Sequence, residues 1–329
     1  MSDAAHQPAG SADRRTAVVC ILLTMAFWSF PTLAVKFLTR YMDIYTQNLI
    51  RFTSASAVLW AASLLWSRRE ALSGARTLLR VLPAVAAAFA YQMLYCRALY
   101  APKLMPGIAF LTVRSTVLWT AVLSCIFFAD ERSTVRDRRF IVGISLSVVG
   151  VLGLVWAGAP GGPDDVAQTA EAVRRALMLV LASAFCWSLY TVLIKLLVRR
   201  GSPLVTWTYA CTLMTAVFAV LTFTHEDTWI AVPAGWAGAG VWAVAVGSGA
   251  LCVGAAHVCY YYGIRTLGTA VCATVLLANA FVAPLLSMQW FNERFTAVHV
   301  VAGVVLVIGS AFTIHARPRK GGAEKIRHG

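Results

Sequence analysis

The chain has 329 residues, of which 59% are hydrophobic and 13% charged, with a mean hydropathy of +0.72 and a formal net charge of +14. Soluble domains carry about a quarter charged residues, so this composition excludes an ordinary soluble fold, and apolar runs that recur to the end exclude a soluble domain on one anchor. The basic residues cluster at the ends of apolar segments, as topology signals do, which excludes a nucleic-acid binder with a basic face.

Residues 1–15 form a polar, small-residue-rich tail that ends in Arg14-Arg15. The apolar run after it is long enough to span a bilayer and lacks a small-residue cleavage site after a short core, so it reads as an uncleaved first helix. A spanning helix needs about 20 mostly apolar residues. Ten segments qualify: roughly 16–36, 44–66, 78–100, 106–129, 139–158, 176–198, 203–224, 236–262, 269–291 and 298–316. The longest link, 159–175, contains Pro160-Gly161-Gly162-Pro163 and divides the chain into repeats at 16–158 and 176–316. A basic tail, 317–329, closes the chain. The eight cysteines all lie in apolar segments with no C-x-x-C pair. They read as packing residues, so no disulfide, metal site or cofactor is expected.

Lys and Arg set the orientation. With the N-terminus in the cytoplasm, 18 loop Lys and Arg residues fall inside and five outside. Both termini are therefore expected in the cytoplasm, with the 159–175 linker outside. Five helices is an odd number, so the second repeat enters the membrane from the opposite side. The expected fold is an all-α membrane protein of ten transmembrane helices in two inverted five-helix repeats.

The duplication is also written in the residues. Trp28-Ser29-Phe30-Pro31-Thr32-Leu33-Ala34-Val35-Lys36 and Trp187-Ser188-Leu189-Tyr190-Thr191-Val192-Leu193-Ile194-Lys195 both read W-S-x-x-T-x-x-x-K. Trp, Thr and Lys at i, i+4 and i+8 form one slowly drifting helical stripe. The fourth and ninth segments both end in E-R-x-T, at Glu131-Arg132-Ser133-Thr134 and Glu293-Arg294-Phe295-Thr296. Each is followed by a glycine-spaced helix, with Gly143 and Gly150 in one and Gly303 and Gly309 in the other. Tyr91 and Tyr95 in the third segment match His257 and Tyr261 in the eighth.

These features in this order resemble the EamA-type transporters of the drug/metabolite transporter superfamily. Asn48-Leu49-Ile50-Arg51-Phe52 and Arg97-Ala98-Leu99 add to the likeness, which covers residues 16–316. The family commonly has a mid-helix proline before the closing Glu. Here the ninth segment has Pro284, whereas the fourth has Val122 in its place. The resemblance implies a carrier, with export more usual than uptake.

Charge inside a bilayer costs about 2.5–3.5 kcal/mol on insertion scales, so such groups face a cavity or a partner. Five basic residues lie within helices: Lys36, Arg51, Arg97, Arg114 and Lys195, while all fourteen acids lie in tails, loops or helix ends. Arg51 and Arg114 are each about seven residues into helices that run outside to inside, so both lie roughly 10 Å deep. They read as awaiting a carboxylate or phosphate from the substrate, or as satisfying backbone carbonyls. Lys36, Arg97 and Lys195 fit snorkelling. Glu131 and Glu293, at helix ends beside Arg132 and Arg294, fit a role in loop geometry. The lack of a buried carboxylate argues against proton-for-cation exchange. His257 is the one histidine well inside a helix and the candidate for a proton relay.

The candidate cavity lining adds Trp28, Ser29, Thr32, Tyr91, Tyr95, Trp187, Ser188, Tyr190, Thr191, Tyr261 and Asn279 to the two arginines. The same residues also suit helix–helix hydrogen bonding. No nucleotide-binding, zinc-protease or nucleophile-elbow motif occurs, so no enzyme is expected. The expected partners are the lipid bilayer and a small-molecule substrate, with proton coupling as an option, no nucleic acid, and an oligomeric state that the residues do not set. A secondary transporter of a small polar metabolite, carboxylate-bearing such as an amino acid, is the reading that results. An exporter of drug-like amphiphiles is the alternative within transport, and a membrane-embedded non-transport protein the alternative outside it.

Overall fold

The computed structural model describes residues 11–72, 75–128, 137–157, 166–198, 202–267 and 269–315. Ten helices follow one another. In the first repeat α1 is Ser11–Trp28 continued by Pro31–Leu38, α2 is Ile44–Trp66 and α3 is Ala75–Leu99. Next come α4, Pro106–Val113 with Thr116–Phe127, and α5, Arg138–Ala157. In the second repeat α6 is Val166–Val198, α7 is Pro203–Thr224 and α8 is Gly235–Leu267. There, α9 is Thr269–Leu277 with Asn279–Phe291, and α10 is Ala297–Ile314. Among the described residues nine stretches are long and apolar enough to cross a membrane, and α9 contributes the shorter Val275–Phe291.

One boundary differs from the sequence expectation. The sixth helix begins at Val166, inside the stretch read as a linker. No Pro or Gly follows Pro163 until Gly201, so nothing interrupts a helix there. Val173, Ala176 and Leu177 are buried in one cluster with Leu154 and Val155 of α5, which holds the added turns in place. Residues 158–165 and most of the two terminal tails lie outside the described residues, as does Glu131.

The burial pattern is that of a protein solvated by lipid. Gln47, Asn48, Arg51, Ser188 and Asn279 are all buried, whereas Trp236, Trp156 and Phe223 are 94%, 85% and 82% exposed. The repeats join where α5 meets α10. A Cβ on Gly143 would lie 2.7 Å from the Gly309 carbonyl oxygen, and one on Gly309 would lie 2.5 Å from the Ser147 nitrogen. Only glycine allows backbones this close.

Three helices are interrupted at mid-depth. In α1 the cause is Pro31, which has no N–H to donate. Ser29 and Phe30 donate instead to the Ala26 and Phe27 carbonyls, three residues back. In α4 the break falls at Arg114-Ser115, where both amides again reach three residues back, to Leu111 and Thr112. In α9 it falls at Ala278, whose amide bonds Val275. Neither of these last two has a proline at the break. Each meets a serine from the opposite repeat instead. Ser188 Oγ on α6 lies 3.0 Å from the Thr116 carbonyl of α4, and Ser29 Oγ on α1 lies 2.9 Å from Asn279 Oδ1 of α9. The two Trp-Ser pairs thus pin each other's repeats by exchange.

α8 is locally wider, with a π-helical segment at Ser248–Ala255. Gly249 there packs on α2 so closely that a Cβ would sit 2.1 Å from the Arg51 carbonyl oxygen. Such segments leave carbonyls free for side chains, which matters at the site.

Candidate functional site

At mid-depth the helices enclose a cavity of about 180 Å³. α1 contributes Trp28 and Thr32, α2 Arg51 and Phe52, and α3 Tyr91, Gln92 and Tyr95. Phe110 and Arg114 come from α4, Trp187 from α6, Trp207 and Met214 from α7, and Cys252 and His257 from α8. Both repeats therefore line it.

The two arginines share this space. Arg51 is buried and fixed by neutral groups only: Nε donates to Ser248 Oγ at 3.2 Å and Nη1 to Asn48 Oδ1 at 3.4 Å. Asn48 is held in turn by Gln92 Nε2 at 2.8 Å and by its own bond to the Ile44 carbonyl. The Arg114 guanidinium lies 4.3 Å from the Phe110 ring centroid, and its buried Nε has no hydrogen-bond partner. No described Asp or Glu lines the cavity. Two guanidinium groups are pre-positioned there with donors to spare.

Aromatic rings form the rest of the wall. Trp207 stacks on His257 with centroids 4.5 Å apart, and Trp28 meets the same imidazole edge-on at 5.1 Å. On the other side Trp187 packs on Tyr91 at 4.8 Å and Tyr91 stacks on Tyr95 at 5.7 Å. The Tyr95 hydroxyl bonds Thr32 Oγ1 at 2.6 Å. The π-helical carbonyls anchor this wall. Trp28 Nε1 donates to Cys252 O at 3.1 Å, and Trp207 Nε1 to Val253 O at 3.3 Å. His257 Nδ1 also bonds Val253 O, at 2.8 Å. A carbonyl only accepts, so Nδ1 is the donor in this bond.

Of the residues singled out in the sequence, Trp28, Thr32, Arg51, Tyr91, Tyr95, Arg114, Trp187 and His257 line this one cavity. The other six do not line it. Ser29, Ser188 and Asn279 make the interhelical bonds at the breaks, and Thr191 bonds the Trp187 carbonyl on its own helix. Tyr190 is buried between Trp187 and Trp207, and Tyr261 packs beside His257 and Tyr260. Lys36 donates to the Leu99 and Ala101 carbonyls, Lys195 sits over Phe128, and Arg97 is exposed. Several lining residues escape the sequence reading, among them Gln92, Cys252 and Trp207. Gln92 carries no charge, Cys252 reads as packing, and Trp207 sits four residues into α7, where position alone suggests a bilayer interface.

A polar contact ties the end of α9 to α4 on the side where α3 ends and α4 begins. Glu293, just past α9, accepts from the Gly107 N–H in the first turn of α4 at 3.2 Å. A Cβ on Gly107 would lie 2.7 Å from Phe295 Cζ and 2.8 Å from Glu293 Oε2. Burial raises the Glu293 carboxyl pKa, against the pull of Ser287, the Gly107 amide and Lys36.

Residues 15–156 and 174–315 each match the EamA-like transporter family. A search of curated proteins finds no match to this chain. A solved structure titled only "Crystal structure of protein" aligns with a TM-score of 0.60 over 92% of this chain and 99% of its own, at 20% identity. At that identity the likeness speaks for the fold.

Proposed function

The chain belongs to the EamA-like transporter family, and on that premise we propose that it is a secondary carrier for a small carboxylate-bearing metabolite. The observation that carries this reading is the pairing of Arg51 and Arg114 in one cavity with no acidic partner among the described residues. A guanidinium fork binds a carboxylate bidentately, and in a site shielded from water such a bond is at its strongest. The lining by both repeats supports alternating access: rocking one repeat against the other opens the cavity to each side in turn. The Glu293–Gly107 contact would be the barrier on one side.

The excess of Lys and Arg in alternate loops supports a cytoplasmic-membrane orientation with both termini inside. That orientation makes the Glu293 closure the outer one. Export is the direction we assign, from the family resemblance. His257 is our candidate for proton relay, since its imidazole borders the cavity. The aromatic wall favours a second reading, export of drug-like amphiphiles. Against it, the cavity volume of about 180 Å³ falls below the roughly 300–1,000 Å³ of drug-sized pockets.

The test is uptake into proteoliposomes against a panel of amino acids, organic anions and organic cations, with and without a pH gradient. Carboxylate uptake that competes within the anion group is expected. Preference for cations would overturn the reading, and a rate indifferent to the pH gradient would remove His257 from it.

A further inference from the structure

Resting on the carboxylate reading, we propose that the substrate is a net anion with a flat apolar body and no ammonium group. Charge balance is the first ground. Arg51 and Arg114 bring two positive charges into a cavity that no described Asp or Glu lines. One carboxylate offsets half of that charge, and an ammonium on the same molecule would restore it. A zwitterion therefore enters with no net electrostatic gain beyond local placement.

Hydrogen-bond capacity is the second ground, and it is independent of the first. An ammonium carries three donors and needs acceptors for them. Several of the strong acceptors at the wall already hold a donor. Cys252 O accepts from Trp28, and Val253 O accepts from Trp207 and His257. Asn48 Oδ1 accepts from Arg51 and Gln92. Among the described, fully buried side-chain atoms of the lining residues, the one without a partner is a donor, Arg114 Nε. Such a surplus of donors is met by adding acceptor atoms, as an anionic group does.

The rings do not reverse this. A cation can sit over an indole or phenol face, but here the faces are turned to one another. Trp207 stacks on His257, Tyr91 stacks on Tyr95, and Trp187 packs between Tyr91 and Tyr190. These rings, together with Phe52, Phe110 and Met214, give the cavity a mainly aromatic and apolar lining. The flat body of an aromatic hydrocarbon packs on such a lining.

Three probes that share a phenylethyl skeleton test the proposal: 3-phenylpropionate carries the carboxylate alone, phenylalanine the carboxylate and the ammonium, and phenethylamine the ammonium alone. Succinate is added as a carboxylate without an apolar body. In proteoliposomes the wild-type protein is expected to take up 3-phenylpropionate at least about tenfold better than phenylalanine, equivalent to about 1.4 kcal/mol, and phenethylamine not at all. Gln92→Glu should narrow the gap by supplying an ammonium acceptor beside Arg51, raising phenylalanine uptake and lowering that of the acid. Arg114→Gln should lose uptake of the acid. Phenylalanine taken up as well as the acid would overturn the net-anion inference while leaving the carboxylate reading in place. Uptake of succinate alone would overturn the apolar body. Preference for phenethylamine would overturn both readings.

Discussion

Two stretches of this chain open on the same Trp-Ser pair and end in different backbones. Trp28-Ser29-Phe30-Pro31 breaks α1, and Trp187-Ser188-Leu189-Tyr190 runs on without interruption inside α6. The fourth residue makes the difference. Pro31 withdraws an amide and forces the turn to tighten, whereas Tyr190 keeps its amide and buries its ring between Trp187 and Trp207. The serines nevertheless do the same thing in both copies, each reaching across to an interruption in the other repeat. An inverted repeat can therefore keep its contacts while dividing its mechanics. On the alternating-access reading, the continuous α6 is expected to act as a fixed rail and the broken α1 to carry the joint.

The largest way to break that comparison is to write the first copy's chemistry into the second. Tyr190→Pro removes a backbone hydrogen bond from the middle of α6 and should cost about 3 kcal/mol or more of stability, read as a fall in thermal unfolding temperature in detergent. If the loss proves small, α6 is not a rail. The converse change, Pro31→Ala, should leave the protein folded but slow transport by about tenfold, with the maximal rate and apparent affinity changing together as hinge changes do. Undiminished transport would remove the joint from α1.

Smaller effects sharpen the comparison. Ser29→Ala strips Asn279, which is fully buried, of its side-chain partner, and an unpaired buried amide costs about 1–3 kcal/mol. Ser188→Ala removes a bond to a backbone carbonyl that sits beside a helix ladder, at about 0.6 kcal/mol, the average for interhelical bonds in membranes. Equal losses from the two serines would contradict the asymmetry. The smallest effect is at Glu293. Its carboxyl pKa is raised in the folded protein, chiefly by burial, so the folded state holds the proton to higher pH than the unfolded one. The closure is then strongest at low pH and weakens as pH rises through the unfolded value, levelling off above the folded one. Glu293→Gln should flatten that dependence in a hydrogen-exchange profile of the Gly107 region.

Much of the fold is legible in the sequence because bilayer thickness imposes length and apolarity on every span. The duplicated W-S and E-R-x-T stretches add the repeat, and Pro31 marks one break. The break at Arg114-Ser115 carries no Pro or Gly. It meets Ser188 from a helix 72 residues away in sequence, and nothing within α4 announces it. The widened turn of α8 is similar, since it depends on Gly249 meeting the α2 backbone.

The cavity is legible in its charge and less so in its face. Counting from helix ends puts Arg51 and Arg114 at one depth, and the helices bring both to the same space. Depth does not tell which way a side chain points, so Ser29, Tyr190, Thr191 and Asn279 share the level of the cavity and pack between helices instead. Trp207 shows the converse. Its position near the start of α7 suggests a bilayer boundary, yet it is 3% exposed and stacks on His257 because α7 enters beside the π-helical segment of α8.

The central claim is that Arg114 meets an anionic group of the substrate. Carboxylate uptake by Arg114→Ala, at matched amounts of folded protein in proteoliposomes, tests it most directly. Losing a charge-assisted contact worth about 1.5–3 kcal/mol predicts uptake lowered by roughly ten- to a hundredfold with the unfolding temperature little changed. Uptake at the wild-type rate would contradict it.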